Sequence, residues 1–508
     1  MMRKTLCGVV ALVVLVATAG CGDDDGAALD AAALDAAALD ASGADGCRCD
    51  SGAADAGGTT PSDASAGDAG ASAGGATWPR VGMYPIGGSP RAYDRTEFLD
   101  LAAKHDVVIV GVWNGWESGR SRNLGECVDY VHAHSTVGTK VFAYYDYYEL
   151  SPDAATAGSA NYDLHQKVVA ENWWGYVSGT TGTIAPSGFG DSVVVNISRF
   201  VPTDASGDTF MQWAVRRHDG IVHSGGTFGG QHNTGAANLD GIFHDLCYYQ
   251  ARSDWDYDRD GTTELRDDPT ARAEIQRMFH EQIAYYRSVF PAAIQIGNTS
   301  DYSNTSRDPT AWRGYLQGGV LEGLIGETWS VETWGGFDAM RDSYALQMSL
   351  YTTPSYAVFG YFQGTSSDPA PWPPSGWSAS QWQAFRYGFA SSQVLGDAAF
   401  YCALNGAYDN AQVVWADDFD DGGAGLKWLG EATTGPQAAP WSNGVYRRDF
   451  EHGIVLVNPK DNGPQTVDLG GTFHRIAGRA GFSDTAIYDG AAVTTVTLQD
   501  RDGIALVR

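Results

Sequence analysis

The sequence predicts an α/β protein: a (β/α)8 TIM barrel followed by a small C-terminal antiparallel β-sandwich. Three observations carry this. Between residues 78 and 416, short apolar strand patterns alternate with helical ones eight times. Two of those strands end in carboxylates. After Asp417 the helical period stops, and short alternating strands follow, separated by Asn, Asp and Gly turns.

The chain of 508 residues opens with a secretion signal over residues 1–20. Arg3 and Lys4 precede an apolar run from Val9 to Val16, and small residues lead to Gly20-Cys21. The run is too short to span a bilayer as a lasting helix. Ala19-Gly20-Cys21 resembles the lipobox of bacterial lipoproteins, which implies cleavage before Cys21 and lipidation of its thiol. The expected location is therefore the bacterial cell envelope, lipid-anchored and facing the periplasm or the exterior. Residues 21–77 read as a disordered tether of Ala, Asp, Gly and Ser, with Leu29, Leu34 and Leu39 at a spacing that matches no helical stripe. Such a composition buries too little apolar surface to offset chain entropy.

Charge and cysteine content narrow the partners. A net charge of −29 argues against nucleic acid. Of seven cysteines, Cys7 leaves with the signal and Cys21 would carry lipid. Cys47 and Cys49 sit in the tether, and Cys127, Cys247 and Cys402 are scattered, so no disulfide framework is visible. The protein is expected to be a monomer.

Expected barrel strands are 81–86, 107–112, 140–145, 239–244, 293–297, 319–322, 356–361 and 398–403. Helical patterns lie near 96–105, 124–134, 163–174, 208–218, 269–290, 310–316, 337–349 and 380–395. Extra length at 176–198 reads as a β excursion, and more lies at 253–268. In the last domain, 417–508, strands are expected at 445–450, 454–457, 465–469, 493–498 and 503–507.

The tips of parallel barrel strands converge on one mouth. Leu239-Asp240-Gly241-Ile242-Phe243-His244-Asp245 and Gly318-Gly319-Val320-Leu321-Glu322 each deliver a carboxylate, and Asp245 and Glu322 are the expected catalytic pair. One acid to protonate a leaving oxygen and one to attack or to activate water is the minimum equipment for cleaving a glycosidic bond. Asp240 opens its strand at the other end and reads as structural. Glu327 and Glu332 are rivals for the acid role. Aromatic residues crowd the same loops and offer flat faces to sugar rings. Trp113, Asn114, Tyr145, Asn298 and Trp329 are the expected substrate contacts.

A second motif is Asp256-Tyr-Asp258-Arg-Asp260-Gly261-Thr262-Thr-Glu264-Leu-Arg-Asp267. Acids at positions one, three and five, Gly at six, Thr262 at seven, Glu at nine and an acid at twelve match a calcium-binding EF-hand loop. The last acid is Asp instead of Glu and no entering helix is evident, so an isolated structural calcium loop is expected, with no part in the chemistry. There is no G-x-S-x-G elbow, phosphate-binding loop or H-E-x-x-H helix. The spacings of His218, His223, His232 and His244 match no metal site.

The chain resembles bacterial barrel proteins called hypothetical glycoside hydrolases, in particular hypothetical family 15. The residues that carry this are Val195-Asn196-Ile197-Ser198 before a Gln212-Trp213 helix, Leu239 to Asp245, Gly319 to Glu322, and Phe450-Glu-His-Gly453-Ile-Val-Leu-Val-Asn458-Pro459. The resemblance covers most of 78–508 and none of the tether. It implies a glycosidase acting on a polysaccharide or oligosaccharide, and it implies Asp245 as nucleophile or base and Glu322 as general acid/base. It names no substrate. The alternatives are a non-catalytic carbohydrate-binding surface lipoprotein on the same fold and a structural envelope protein whose acids hold loops.

Overall fold

A computed structural model describes residues 76–84, 94–111, 121–298 (without 147, 160, 189–190, 225–226, 229–231, 234–236, 246 and 248–250), 321–326, 337–338, 341–342, 345, 356–363, 377–404 and 415–508. The signal, the tether and Cys21 lie outside them. Eight strands form one parallel sheet: β1 (Gly82–Met83), β2 (Val107–Val110), β3 (Lys140–Tyr145), β4 (Gly241–His244), β5 (Ile294–Asn298), β6 (Gly323–Gly326), β7 (Tyr356–Gln363) and β8 (Ala399–Leu404). Each pairs with its neighbour in chain order, and the two outer strands meet where Val81 bridges Phe400 in parallel. Seven strands overlap their expected ranges. The sixth does not: it begins one residue after Glu322, where the sequence reading ended it.

Strand alternation divides the apolar residues into two layers. Tyr84, Val107, Ile109, Phe142, Tyr144, Phe243, Ile296, Ala399 and Tyr401 pack together inside the sheet. Val108, Val110, Val141, Ala143, Tyr145 and Ile242 face outward to the helices. Those are α1 (Thr96–Ala102), α2 (Leu124–His134), α3 (Tyr162–Glu171), α4 (Phe210–Ser224), α5 (Pro269–Val289) and α6 (Ala379–Leu395). Local chemistry fixes several of their starts. Asn123 and Glu126 form a capping box on α2, Ser378 and Gln381 another on α6, and Asp268 caps α5 ahead of Pro269. Gly241 leaves room that a side chain would take from the interior, since a Cβ there would lie 2.0 Å from the Ile294 carbonyl oxygen and 2.6 Å from the Phe142 ring. The stretch between α3 and α4 is the expected β excursion, with antiparallel bridges Trp174–Val195, Tyr176–Ile184 and Pro186–Val193. Among the described residues, no helix is long and apolar enough to cross a membrane. Cys127, Cys247 and Cys402 are buried.

The C-terminal part is antiparallel, as expected; among the described residues it has one five-stranded sheet and a separate two-stranded one, in which Gly430–Glu431 pairs with Thr77–Trp78. The five strands β9 (Tyr446–Asp449), β10 (Gly453–Asn458), β11 (Gln465–Arg475), β12 (Ala492–Leu498) and β13 (Asp502–Val507) lie in the order β9-β10-β13-β11-β12. One face packs on α6, with Val455, Val457 and Ala505 joining Phe385, Phe389 and Phe400 in one core. The other face is covered by loop residues such as Ile476 and Tyr488. Helix α6 thus covers the inner face of the five-stranded sheet. The Arg386 guanidinium bonds the Asp502 carboxylate at 3.2 Å, and Arg448 donates to the carbonyls of Gln393 at 2.9 Å and Gly396 at 2.6 Å.

Contact between α6 and β13 is tight at Gly503, where a Cβ would lie 2.4 Å from that of Ala390 and 2.7 Å from the Arg386 carbonyl oxygen. Gly503→Ala is expected to lower stability by about 1–3 kcal/mol through overpacking, read as a lower thermal midpoint.

Candidate active site

Asp245 sits at the C-terminal end of the parallel sheet. On β4, Phe243 points into the interior and His244 outward to α5, so the next residue turns inward again. Asp245 is 6% exposed. Its N–H donates to the Tyr145 carbonyl at 2.9 Å, which extends the β3–β4 ladder by one residue. Asn298, at the end of β5, donates from Nδ2 to Asp245 Oδ1 at 2.8 Å, and the Tyr144 hydroxyl donates to Oδ2. Accepting on both oxygens is what an ionised carboxylate does.

The same row continues on β3. Tyr144 pairs with Phe243 and Tyr145 with His244, so Asp146 stands beside Asp245 on the adjacent tip, with backbones about 4.8 Å apart. Asp146 is partly exposed, and its Oδ1 accepts the Tyr148 N–H at 3.1 Å. Burial, then the charges of Glu149 and Asp245, push its carboxyl well above the usual range, against the pull of Arg252. Glu149 follows in a two-residue strand paired with Val193–Val194. It is buried, and its Oε2 has no hydrogen-bond partner among the described residues. Burial raises its carboxyl to about 7, opposed by the Ser187 hydroxyl and Arg252 and helped by the charge of Asp245. Sequence reasoning missed Asp146, although the signal was the one that found Asp245: a buried strand followed at once by an Asp.

Two expected site residues are placed elsewhere. Glu322 precedes β6 and lies at the N-terminal end of the sheet, aligned with Gln295 and about 10 Å from the level of Asp245 at 3.3 Å per residue. There it pairs with Arg287 and accepts the Gln295 N–H at 2.7 Å. The local sequence holds two apolar pairs, Val320-Leu321 and Leu324-Ile325, and hydrogen bonding selected the second for the strand. Tyr145 faces outward, packed edge-on against His218, His244 and Tyr286; Tyr144 is the tyrosine at the mouth. Trp113, Asn114, Trp329, Glu327 and Glu332 lie outside the described residues. Asp240 is structural as expected, accepting from Lys140 Nζ at 2.8 Å and the Val141 N–H at 2.9 Å.

The histidines near the site are structural. His218 Nε2 lies 3.0 Å from the Tyr144 carbonyl, which can only accept, so Nδ1 is left to accept from the Tyr286 hydroxyl at 2.7 Å. Burial holds both His218 and His244 well below the ordinary imidazole range, and both are neutral.

In the loop before α5, Asp256, Asp258, Asp260 and Glu264 each offer a carboxylate oxygen, all within 4.8 Å of one another. Gly261 takes φ +99°, and its N–H donates to Asp256 Oδ2 at 2.8 Å. The Thr262 N–H donates to Asp260 Oδ1 at 2.7 Å. Burial, followed by mutual repulsion, raises Glu264 to about 7 and Asp258 above its usual range. Four crowded oxygens of this kind fit a hard cation such as calcium. Asp267 does not join them; its side chain is 72% exposed and lies 4.0 Å from Arg266. The loop is tied to the site's surroundings through Asp256, whose N–H donates to Tyr176, and through Trp255, which packs on Tyr148.

No protein-family model and no curated protein matches the chain. Solved structures give distant likenesses. The glycoside hydrolase domain of PelA from Pseudomonas aeruginosa is 12% identical over 66% of this chain and 97% of its own, at a TM-score of 0.34. The trehalulose synthase MutB from Pseudomonas mesoacidophila MX-45 is 11% identical, covering 84% and 98%, at 0.43. Eubacterium rectale Amy13B is 10% identical, covering 85% and 97%, at 0.42.

Glu322→Gln is expected to lower stability by about 1–3 kcal/mol, because Arg287 loses its charged partner. Thermal denaturation measures this, and any activity the protein has should persist in the folded variant.

Proposed function

We propose that the chain is a glycoside hydrolase acting on a polysaccharide or oligosaccharide, with its site at the mouth of a (β/α)8 barrel. The observation that carries this reading is Asp245, a buried carboxylate at the C-terminal end of β4, held by Tyr144 and Asn298. Barrel enzymes build their sites at that face. A carboxylate fixed by two neutral donors keeps its charge and its aim, as attack on an anomeric carbon or on a water requires. Asn298 also has the amide chemistry to meet sugar hydroxyls. The second acid must come from the same end of the sheet as Asp245, which Glu322 does not share. The family 15 resemblance remains part of this reading and rests on the sequence motifs.

The reading extends to the rest of the chain. Lipidation at Cys21 would anchor it to an envelope membrane, with residues 21–77 as tether. Calcium held by Asp256, Asp258, Asp260 and Glu264 would brace the rim beside Tyr148 and take no part in bond cleavage.

Reducing-sugar release from a panel of polysaccharides tests the enzyme reading. Residues 78–508 should release sugar from at least one glycan, and Asp245→Asn should fold equally well and lose at least about 10²-fold in rate. Equal release by both proteins, or glycan binding without release, would sink it in favour of a binding protein. Calcium should raise the thermal midpoint over a chelator control, by about 2.7 kcal/mol in stability at a hundredfold excess over Kd. Asp258→Asn should remove that shift.

A further inference from the structure

We propose that Asp146 and Asp245 are the working carboxyl pair of this site, with Asp146 holding the proton and Asp245 the negative charge. This deepens the glycosidase reading and rests on it. The first ground is register. The two residues follow paired positions on adjacent parallel strands, Tyr145 opposite His244, and the Asp245 N–H is bonded to the Tyr145 carbonyl. Alternation turns both side chains inward, since Tyr144 and Phe243 lie in the interior cluster and Tyr145 and His244 do not.

The second ground is charge. Among the described residues, three carboxyls meet here, Asp146, Glu149 and Asp245, and Arg252 is the cation that faces Asp146 and Glu149. The other titratable neighbours remain neutral. Tyr148 and Cys247 are both pushed up, chiefly by burial, and the Tyr144 hydroxyl spends its proton on Asp245. Two unbalanced negative charges in a largely buried site are costly, so the cluster retains a proton. Asp245 is not its seat, because both of its oxygens accept hydrogen bonds. Glu149 is buried, whereas Asp146, at the end of its strand, is partly exposed.

The hydrolysis balances on these two groups. The Asp146 proton passes to the glycosidic oxygen as the bond from that oxygen to the anomeric carbon breaks, and the oxygen keeps the electron pair. Asp245 attacks the anomeric carbon as that bond breaks, as closely spaced carboxyls require. Water then gives its proton to the Asp146 carboxylate and adds its hydroxyl to the anomeric carbon as the bond to Asp245 breaks, which resets the pair.

Two measurements on residues 78–508 test this. The first is the thermal midpoint of the parent and of Asp146→Asn between about pH 4 and about pH 9. Asn imitates the protonated acid. A carboxyl raised in the fold costs the parent stability as pH climbs from its unfolded value, about 3.9, toward the folded one. The variant escapes that loss. Its midpoint should therefore match the parent's near pH 4 and exceed it increasingly toward neutrality. An offset that stays constant with pH would overturn the pair.

The second measurement is the pH profile of sugar release from any glycan the parent cleaves. Asp146→Asn should lose at least about 10²-fold and its basic limb. Turnover and a profile like the parent's would overturn the proton-donor role. If the parent cleaves nothing, the glycosidase reading and the proton transfer fail together. The midpoints still decide, separately, whether Asp146 holds the proton.

Discussion

Asp106, Asp240 and Glu322 each stand one residue before a strand, β2, β4 and β6, and each accepts a backbone N–H from the preceding strand of the sheet or, for Asp106, from the residue that leads into it. The donors are Val81 at 2.8 Å, Val141 at 2.9 Å and Gln295 at 2.7 Å. Each carboxylate also meets a cation: Asp106 has Lys427, Asp240 has Lys140, and Glu322 has Arg287. Hydrogen bonds to charged groups are worth about 1.5–3 kcal/mol each. Placed at the starts of alternate strands, they pin the register from the N-terminal end. A one-residue slip would turn every inward side chain outward. Asp245 would then face α5 instead of the mouth.

The opposite end of the sheet is built on a contrary plan. At the floor, each acid is matched to a cation and a backbone donor, so its charge is spent on holding strands together. At the mouth, Asp146, Glu149 and Asp245 crowd together with Arg252, and Asp245 is held by a phenol and an amide. Neutral donors fix a carboxylate's direction without neutralising it. Crowded like charges force apart the affinities of neighbouring groups for protons. Both are conditions for acid–base chemistry and neither contributes much to holding the fold.

The parts outside the sheet supply stiffness around that mouth. The β excursion and the acidic loop before α5 are joined where the Tyr257 carbonyl accepts from Asn196 at 3.0 Å and from Ser198 at 2.9 Å. Tyr148, two residues past Asp146, packs on Trp255 of that loop and on Phe279 of α5. The C-terminal sheet works at a distance from this. It shares a core with α6, and Lys427 reaches the floor carboxylate Asp106, so it braces the end of the sheet remote from the site.

Periodicity and punctuation in the sequence alone determined the alternation of strands and helices, the antiparallel C-terminal strands, the acidic loop and Asp245 as a strand-tip carboxylate. Those are local properties, set by which residues are apolar and where Gly, Asn and Asp interrupt them. The sixth strand was different, because Val320-Leu321 and Leu324-Ile325 are equally good strand seeds. Pairing with Ile296, Gly297 and Asn298 chose the second and carried Glu322 to the floor. Which face a residue takes was decided the same way: Tyr144 and Tyr145 are identical as letters, and only the register with Phe243 and His244 sends one to the mouth and the other to the helices. The company of Asp146, Glu149 and Asp245 is likewise a tertiary fact. Their mutual repulsion exists only once adjacent strands bring them side by side and burial removes the water that would have screened them.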